Sequence, residues 1–225
     1  MRDTDVKHSG PGISARDVYN ISRSIWHDDF NRVAADTEVW TDNADGGGSF
    51  NIGTFATGPT AWDIKTGNVI DEDSSINGDA TKNRRFTPYE LEFNTVTWET
   101  ILALISVVDI SAMWGLLSTV PVSYAEPTSP CAHFIADPAI TNTFRARSYA
   151  AAEEETDTLV ALDTSPHTFK IVWTSTSVLF YIDDVLVATH AAQVPNIPLV
   201  TTYLIRTEAA AEKIMRVCCL HVELS

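Results

Sequence analysis

The acidic residues are the first place to look for chemistry in this chain. It carries 30 Asp and Glu, and two groups of them have the spacing that a site needs. Glu90 and Glu92 stand two apart in a β-rich stretch. A strand would bring both carboxylates to one face, where a pair can serve as nucleophile and acid/base. The competing reading is a solvent-facing stripe on an acidic protein, and it is the one adopted. The second group is Asp71-Glu72-Asp73-Ser74-Ser75-Ile76-Asn77-Gly78-Asp79. Asp73, Ser75, Asn77 and Gly78 follow the first half of a calcium loop, D-x-S-x-N-G, but the twelfth position, where a bidentate Glu should close the site, is Arg84. Asp71, Asp73, Asn77 and Asp79 are therefore a weak calcium candidate, set against a solvated acidic loop. No other cofactor is expected.

The remaining reactive side chains point to no site. The histidines, at 8, 27, 133, 167, 190 and 221, have neither i, i+4 spacing nor a Cys partner at zinc-finger spacing. Cys131, Cys218 and Cys219 lie in apolar stretches and read as small buried hydrophobes, too few for a disulfide framework. There is no G-x-S-x-G, and Gly46-Gly47-Gly48 lacks the Lys-Ser/Thr of a phosphate loop. Trp98 and Trp173 sit in alternating stretches and read as core. Trp40 and Trp62 lie near turns and are weighed as sugar-stacking platforms against core positions.

The elements that must hold these residues are strands. The chain is rich in Thr, Val and Ile, which fit a pleated surface. Residues 1–23 form a polar arm with few large apolar groups, expected to order on a partner if at all. From residue 24 to 225 a single domain is expected. Short β segments are expected at 24–30, 37–41, 49–55, 61–65 and 68–70, and a polar loop over 71–85. Longer strands follow at 89–98, 101–109, 112–119, 132–136, 143–149 and 156–162, then at 167–174, 178–182, 185–189, 200–206 and 214–224. Alternation is clear in the last group, where Phe169, Ile171 and Trp173 share a face, as do Val178, Phe180 and Ile182. Asp183-Asp184 sits where a two-residue hairpin turn is required. The Ala/Glu-rich stretches 149–155 and 208–213 have helix propensity but are too short for a helix, so loops or single turns are expected. This pattern predicts an all-β sandwich of two antiparallel sheets.

Composition closes off several functions. The 225 residues carry a net charge of −15, with 15 Lys and Arg, which argues against a nucleic-acid surface and against docking on an anionic membrane. The apolar run at 101–117 contains Asp109 and falls short of ~20 clean residues, so membrane insertion is not expected. The first residues carry no secretory signal.

The stretch His167-Thr168-Phe169-Lys170-Ile171-Val172-Trp173, followed by Val178 to Ile182, Asp183-Asp184 and Val185 to Thr189, resembles the strand–hairpin–strand of concanavalin A-like jelly rolls. That superfamily includes laminin-G-like modules and laminarinase-type glycoside hydrolases. Asp28-Asp29-Phe30-Asn31-Arg32, Trp40 and the triple glycine are similar to how such domains begin. The resemblance implies a jelly roll over about residues 24–224, in a superfamily that often holds a structural calcium. In the enzymes it also implies a strand with acids at alternate positions, E-x-D-x-E. Here that strand reads Cys131-Ala132-His133-Phe134-Ile135-Ala136-Asp137, and Arg216 to Val222 places Cys218 and Cys219 where an Asp before an aromatic is common. These departures lead to the expectation of a non-enzymatic structural or interaction protein, and a laminin-G-like domain with a polar N-terminal arm resembles those of tailed-virus structural proteins, which implies a virion surface component such as a head decoration, turret or tail appendage. Its partners would be copies of itself or capsid and tail proteins, and its location a virion surface or extracellular assembly. The alternative reading is a glycan-binding module or a degenerate glycoside hydrolase.

Overall fold

The computed structural model describes residues 24–28, 40–44, 47–54, 60–78, 86–89, 94–119 and 123–225. The N-terminal arm, Glu90, Glu92, Asp79 and Arg84 lie outside them. The described residues form fifteen strands and no helix.

The strands are β1 (Ser24–Asp28), β2 (Trp40–Ala44), β3 (Ser49–Thr54), β4 (Thr60–Lys65), β5 (Asp73–Gly78), β6 (Thr95–Leu104), β7 (Ile110–Leu117) and β8 (Cys131–Ala136). They continue with β9 (Thr143–Tyr149), β10 (Glu153–Ala161), β11 (His167–Thr174), β12 (Val178–Ile182), β13 (Val185–His190), β14 (Val200–Thr207) and β15 (Ile214–Leu224). Two antiparallel sheets result. The first runs β13-β12-β11-β6-β15-β4-β3, with β1 on β15, and the second runs β10-β9-β8-β7-β14-β5-β2. This is the expected two-sheet jelly-roll sandwich.

Between the sheets lies one core. β6, β11 and β12 bury alternate residues inward, Trp98, Phe169, Ile171, Trp173, Phe180 and Ile182 among them. From the second sheet Trp114, Phe134, Phe144 and Tyr203 meet them, and the Trp114 and Phe169 rings are 4.8 Å apart, edge to face. The buried indole of Trp98 donates to Thr201 Oγ1 at 3.1 Å, and the Tyr203 hydroxyl donates to Thr100 Oγ1 at 3.0 Å, so the polar tips of both rings are satisfied across the sandwich. Asp183 and Asp184 form the hairpin between β12 and β13 with positive φ at both positions, as their place in the sequence requires.

Four local expectations differ from the structure. The strands expected at 89–98 and 101–109 meet in one, β6, whose inward side is buried without a break from Val96 through Thr100 to Leu104; residues 90–93 lie outside the described ones. Residues 68–70 make a turn. Part of the expected polar loop is β5, whose Ser74 and Ile76 are buried and which pairs on both sides, with β14 and β2. The Ala/Glu-rich stretch at 149–155 supplies the start of β10, paired through Glu153, Glu154 and Glu155 to Tyr149, Ser148 and Arg147.

Candidate functional site

The outward face of the second sheet is where reactive side chains converge. Alternation sends Ala132, Phe134 and Ala136 of β8 into the core, and Cys131, His133 and Ile135 outward. By the same period Met113, Gly115 and Leu117 of β7 point outward, as do Arg145, Arg147 and Tyr149 of β9, Thr202, Leu204 and Arg206 of β14, and Glu153, Glu155 and Asp157 of β10. Register then lines up rows across the strands. One row runs Glu155, Arg147, His133, Gly115, Thr202. The next runs Glu153, Tyr149, Cys131, Leu117, Val200.

Charge is concentrated at the β9–β10 end of these rows. The Arg147 side chain is 3% exposed. Its Nε donates to Glu155 Oε2 at 2.9 Å and its Nη2 to Glu126 Oε2 at 2.9 Å, while Glu153 Oε1 lies 3.2 Å from Nη2. Arg145 Nη1 donates to Glu155 Oε1 at 2.8 Å. Burial alone would depress the Arg147 guanidinium, but the hydrogen bond and charge of Glu126 and the charges of Glu155 and Glu153 outweigh it and hold it above its ordinary value. Glu153 and Glu155 both reach one nitrogen of Arg147, which keeps the bonded oxygens of the two carboxylates within about 6 Å of each other, close enough to flank one glycosidic bond. Asp157, two positions further along the same face, is held below the usual carboxylate range by hydrogen bonds from Thr143 and the Leu159 amide.

The middle of the row is closed. His133 is fully buried, and neither ring nitrogen has a hydrogen-bond partner. Burial, then the charges of Arg147 and Arg145, push its pKa down to about 3, so the imidazole is neutral at ordinary pH. Gly115 makes room beside it: a Cβ there would stand 2.6 Å from the Ala132 carbonyl and 2.7 Å from His133 Cα, at a φ of +146°. Burial pushes the Cys131 thiol up to about 12, which removes it as a nucleophile.

The residues singled out from sequence fare differently. Of the calcium candidates, Asp79 lies outside the described residues, and Asp71, Asp73 and Asn77 are not on one turn. Asp73 to Gly78 is strand β5, so Asp73, Ser75 and Asn77 are spread along it at about 6.6 Å per two residues. Asp71 pairs instead with Arg206. Among the described residues no three His, Cys, Asp or Glu are placed to hold a metal ion. Trp62 is buried in the core, which withdraws it as a sugar platform. The acids that sequence reasoning missed are Glu153, Glu155 and Asp157. Their i, i+2, i+4 spacing was the available signal, hidden by the helix propensity of Ala151-Ala152-Glu153-Glu154-Glu155.

Residues 136–209 match the family model described as Glycosyl hydrolases family 16. No curated protein matches the chain in sequence. Among solved structures, a Bacteroides ovatus family 16 enzyme from a mixed-linkage glucan locus, in complex with a product, superposes with a TM-score of 0.60 at 13% identity, covering 88% of this chain and 99% of that one. A Bacillus licheniformis β-glucanase gives 0.59 at 14% identity, covering 88% and 97%. The Crh5 transglycosylase gives 0.61 at 13% identity, covering 90% and 85%. These likenesses establish the fold. Together with the family match they overturn the expectation of a non-enzymatic virion component, because every one of them points to glycoside hydrolases and transglycosylases and none to a viral assembly.

Proposed function

We propose that this chain is a glycoside hydrolase or transglycosylase acting on a β-linked glucan laid across the outward face of its second sheet. The observation that carries this reading is the alternate-acid strand β10, with Glu153 and Glu155 on one face and both carboxylates on Arg147. The family 16 match, which spans β9 to β14, supports the same class of chemistry. The acids stand two strands away from β8, the strand where the resemblance places them.

The chemistry follows from the geometry. Glu155, held by Arg145 and Arg147, attacks the anomeric carbon, and Glu153, at the rim and half-exposed, gives its proton to the departing sugar oxygen. A glycosyl ester on Glu155 results. Water or the hydroxyl of a second glucan then attacks that ester, returning a proton to Glu153 and freeing Glu155. Water gives hydrolysis and a sugar hydroxyl gives transfer. Arg147 fixes both carboxylates, so they need no reorganisation when charge develops.

The test is an assay of the full chain on mixed-linkage β-glucan and on laminari-oligosaccharides, following reducing ends and product length. Release of shorter products, or formation of longer ones from a pure oligosaccharide, supports the reading. Unchanged substrate at high protein concentration, with both glucans, refutes it.

A further inference from the structure

The row from Arg147 to Thr202 presents polar atoms that nothing in the protein satisfies. His133 Nδ1 and Nε2 and Thr202 Oγ1 in that row, and Arg145 Nε in the row of Asp157 and Ile135, are all buried without a hydrogen-bond partner, although they project from the outward face of a sheet. A buried polar group without a partner is destabilising, so their clustering on one face calls for an explanation. Each offers what a sugar hydroxyl uses. A neutral imidazole has one donor and one acceptor, a threonine hydroxyl has both, and the guanidinium Nε donates.

The cover over this row is the segment at 123–130, between β7 and β8. Its base is pinned where Ser118 N donates to the Pro130 carbonyl at 3.0 Å, with the Thr119 and Ser129 hydroxyls 3.3 Å apart. Tyr124 packs on Met113, Leu117, Cys131 and Leu204, the outward neighbours on either side of His133 and Gly115. Its hydroxyl is buried and unpaired as well. Glu126 then reaches over to Arg147 and lies 3.7 Å from Arg145. Arg206 Nη1 also donates to the Tyr124 carbonyl at 3.4 Å, so the segment holds to the face by one aromatic ring, one long backbone hydrogen bond and one half-exposed carboxylate, on a closed base.

We infer that residues 123–130 form a strap latched by Glu126, and that His133 and Thr202 beneath it are glucan-binding residues that meet sugar hydroxyls once the strap lifts. This rests on the reading of the outward face as the cleft. Glu155 keeps Arg147 paired when Glu126 leaves, so opening strands no charge. The closed state reduces apparent affinity in proportion to its population.

Binding of a mixed-linkage glucan oligosaccharide to the full chain, measured by calorimetry, tests this. Glu126→Ala is expected to tighten binding several-fold, because it removes the latch. His133→Phe and the isosteric Thr202→Val are each expected to weaken it, His133→Phe by roughly tenfold. Amides of 123–130 are expected to exchange faster with hydrogen isotope when the oligosaccharide is bound. Thr202→Val keeps the test open if His133→Phe does not fold. Wild-type affinity in both Thr202→Val and Glu126→Ala, or slower exchange at 123–130 on binding, overturns the inference and leaves the proposed activity standing. No binding or turnover of either glucan by the wild-type chain refutes the proposed activity and this inference with it.

Discussion

The two sheets turn very different faces outward, though the residue types on them are alike. On the first sheet Glu99, Lys170, His221 and Glu223 line an open cavity of about 500 Å³. Lys170 pairs there with Asp184 at 2.7 Å, but the Asp184 side chain is 81% exposed, so water and salt screen the pair. On the second sheet Arg147 gathers three glutamates from a buried position, and His133 and Thr202 in the row beside it are buried as well. Cover makes the difference. The same ion-pair chemistry is nearly neutral in energy on one face and consequential on the other, where removing a partner leaves charge with little water to solvate it.

The largest expected contrast is in activity. Glu155→Gln should lower glucan turnover by about a hundredfold or more, the scale of losing one positioned carboxylate, while Glu99→Gln on the first sheet should leave turnover unchanged. Initial rates on mixed-linkage glucan measure both, and equal losses at the two positions would erase the distinction between the faces.

A stability contrast comes next. Arg147→Met should cost about 2 kcal/mol, reduced from the value for a fully buried pair because its glutamates are partly exposed. Lys170→Met should cost less than about 1 kcal/mol. Urea unfolding of the two variants reads the difference directly. Gly115→Ala, which drives a Cβ into the backbone of β8, should cost about 2 kcal/mol by the same measurement.

The last contrast is a pH slope. The His133 pKa falls from 6.5 to about 3 on folding. Between those values the unfolded chain binds the extra proton, so this contribution is whole above pH 6.5 and is lost progressively as pH falls toward 3. Unfolding free energies at pH 7 and pH 4 should differ less in His133→Phe than in the wild type. Burial also lowers His190, in the same sense, so part of the slope should remain.

How much of this was legible in the sequence follows from which residues carry each signal. Period-two alternation is strong in β11 and β12, where Phe169, Ile171, Phe180 and Ile182 leave no ambiguity, and the Asp183-Asp184 turn marks the step from β12 to β13. It is weak in β5, where Asp73, Ser74 and Ser75 read as loop and only pairing on both sides makes a strand. It is misleading in β10. Glu153, Glu154 and Glu155 disfavour a strand locally, and Arg145 and Arg147 across the ladder supply the opposite charge that makes one tolerable. The acid pair went unseen for the same reason: its spacing has chemical meaning only in a strand. The strap was beyond the sequence altogether, since nothing in residues 123–130 shows that Tyr124 and Glu126 fold back over the sheet.

The central claim is that β10 supplies the carboxylates, and a covalent trap tests it most directly. The full chain is incubated with a 2-fluoro glucan oligosaccharide carrying a good leaving group, digested, and its peptides are weighed by mass spectrometry. The account predicts a glycosyl adduct on Glu155, absent from Glu155→Gln. An adduct on Glu90 or Glu92, or turnover of β-glucan that persists in the Glu153→Gln, Glu155→Gln double variant, would contradict it.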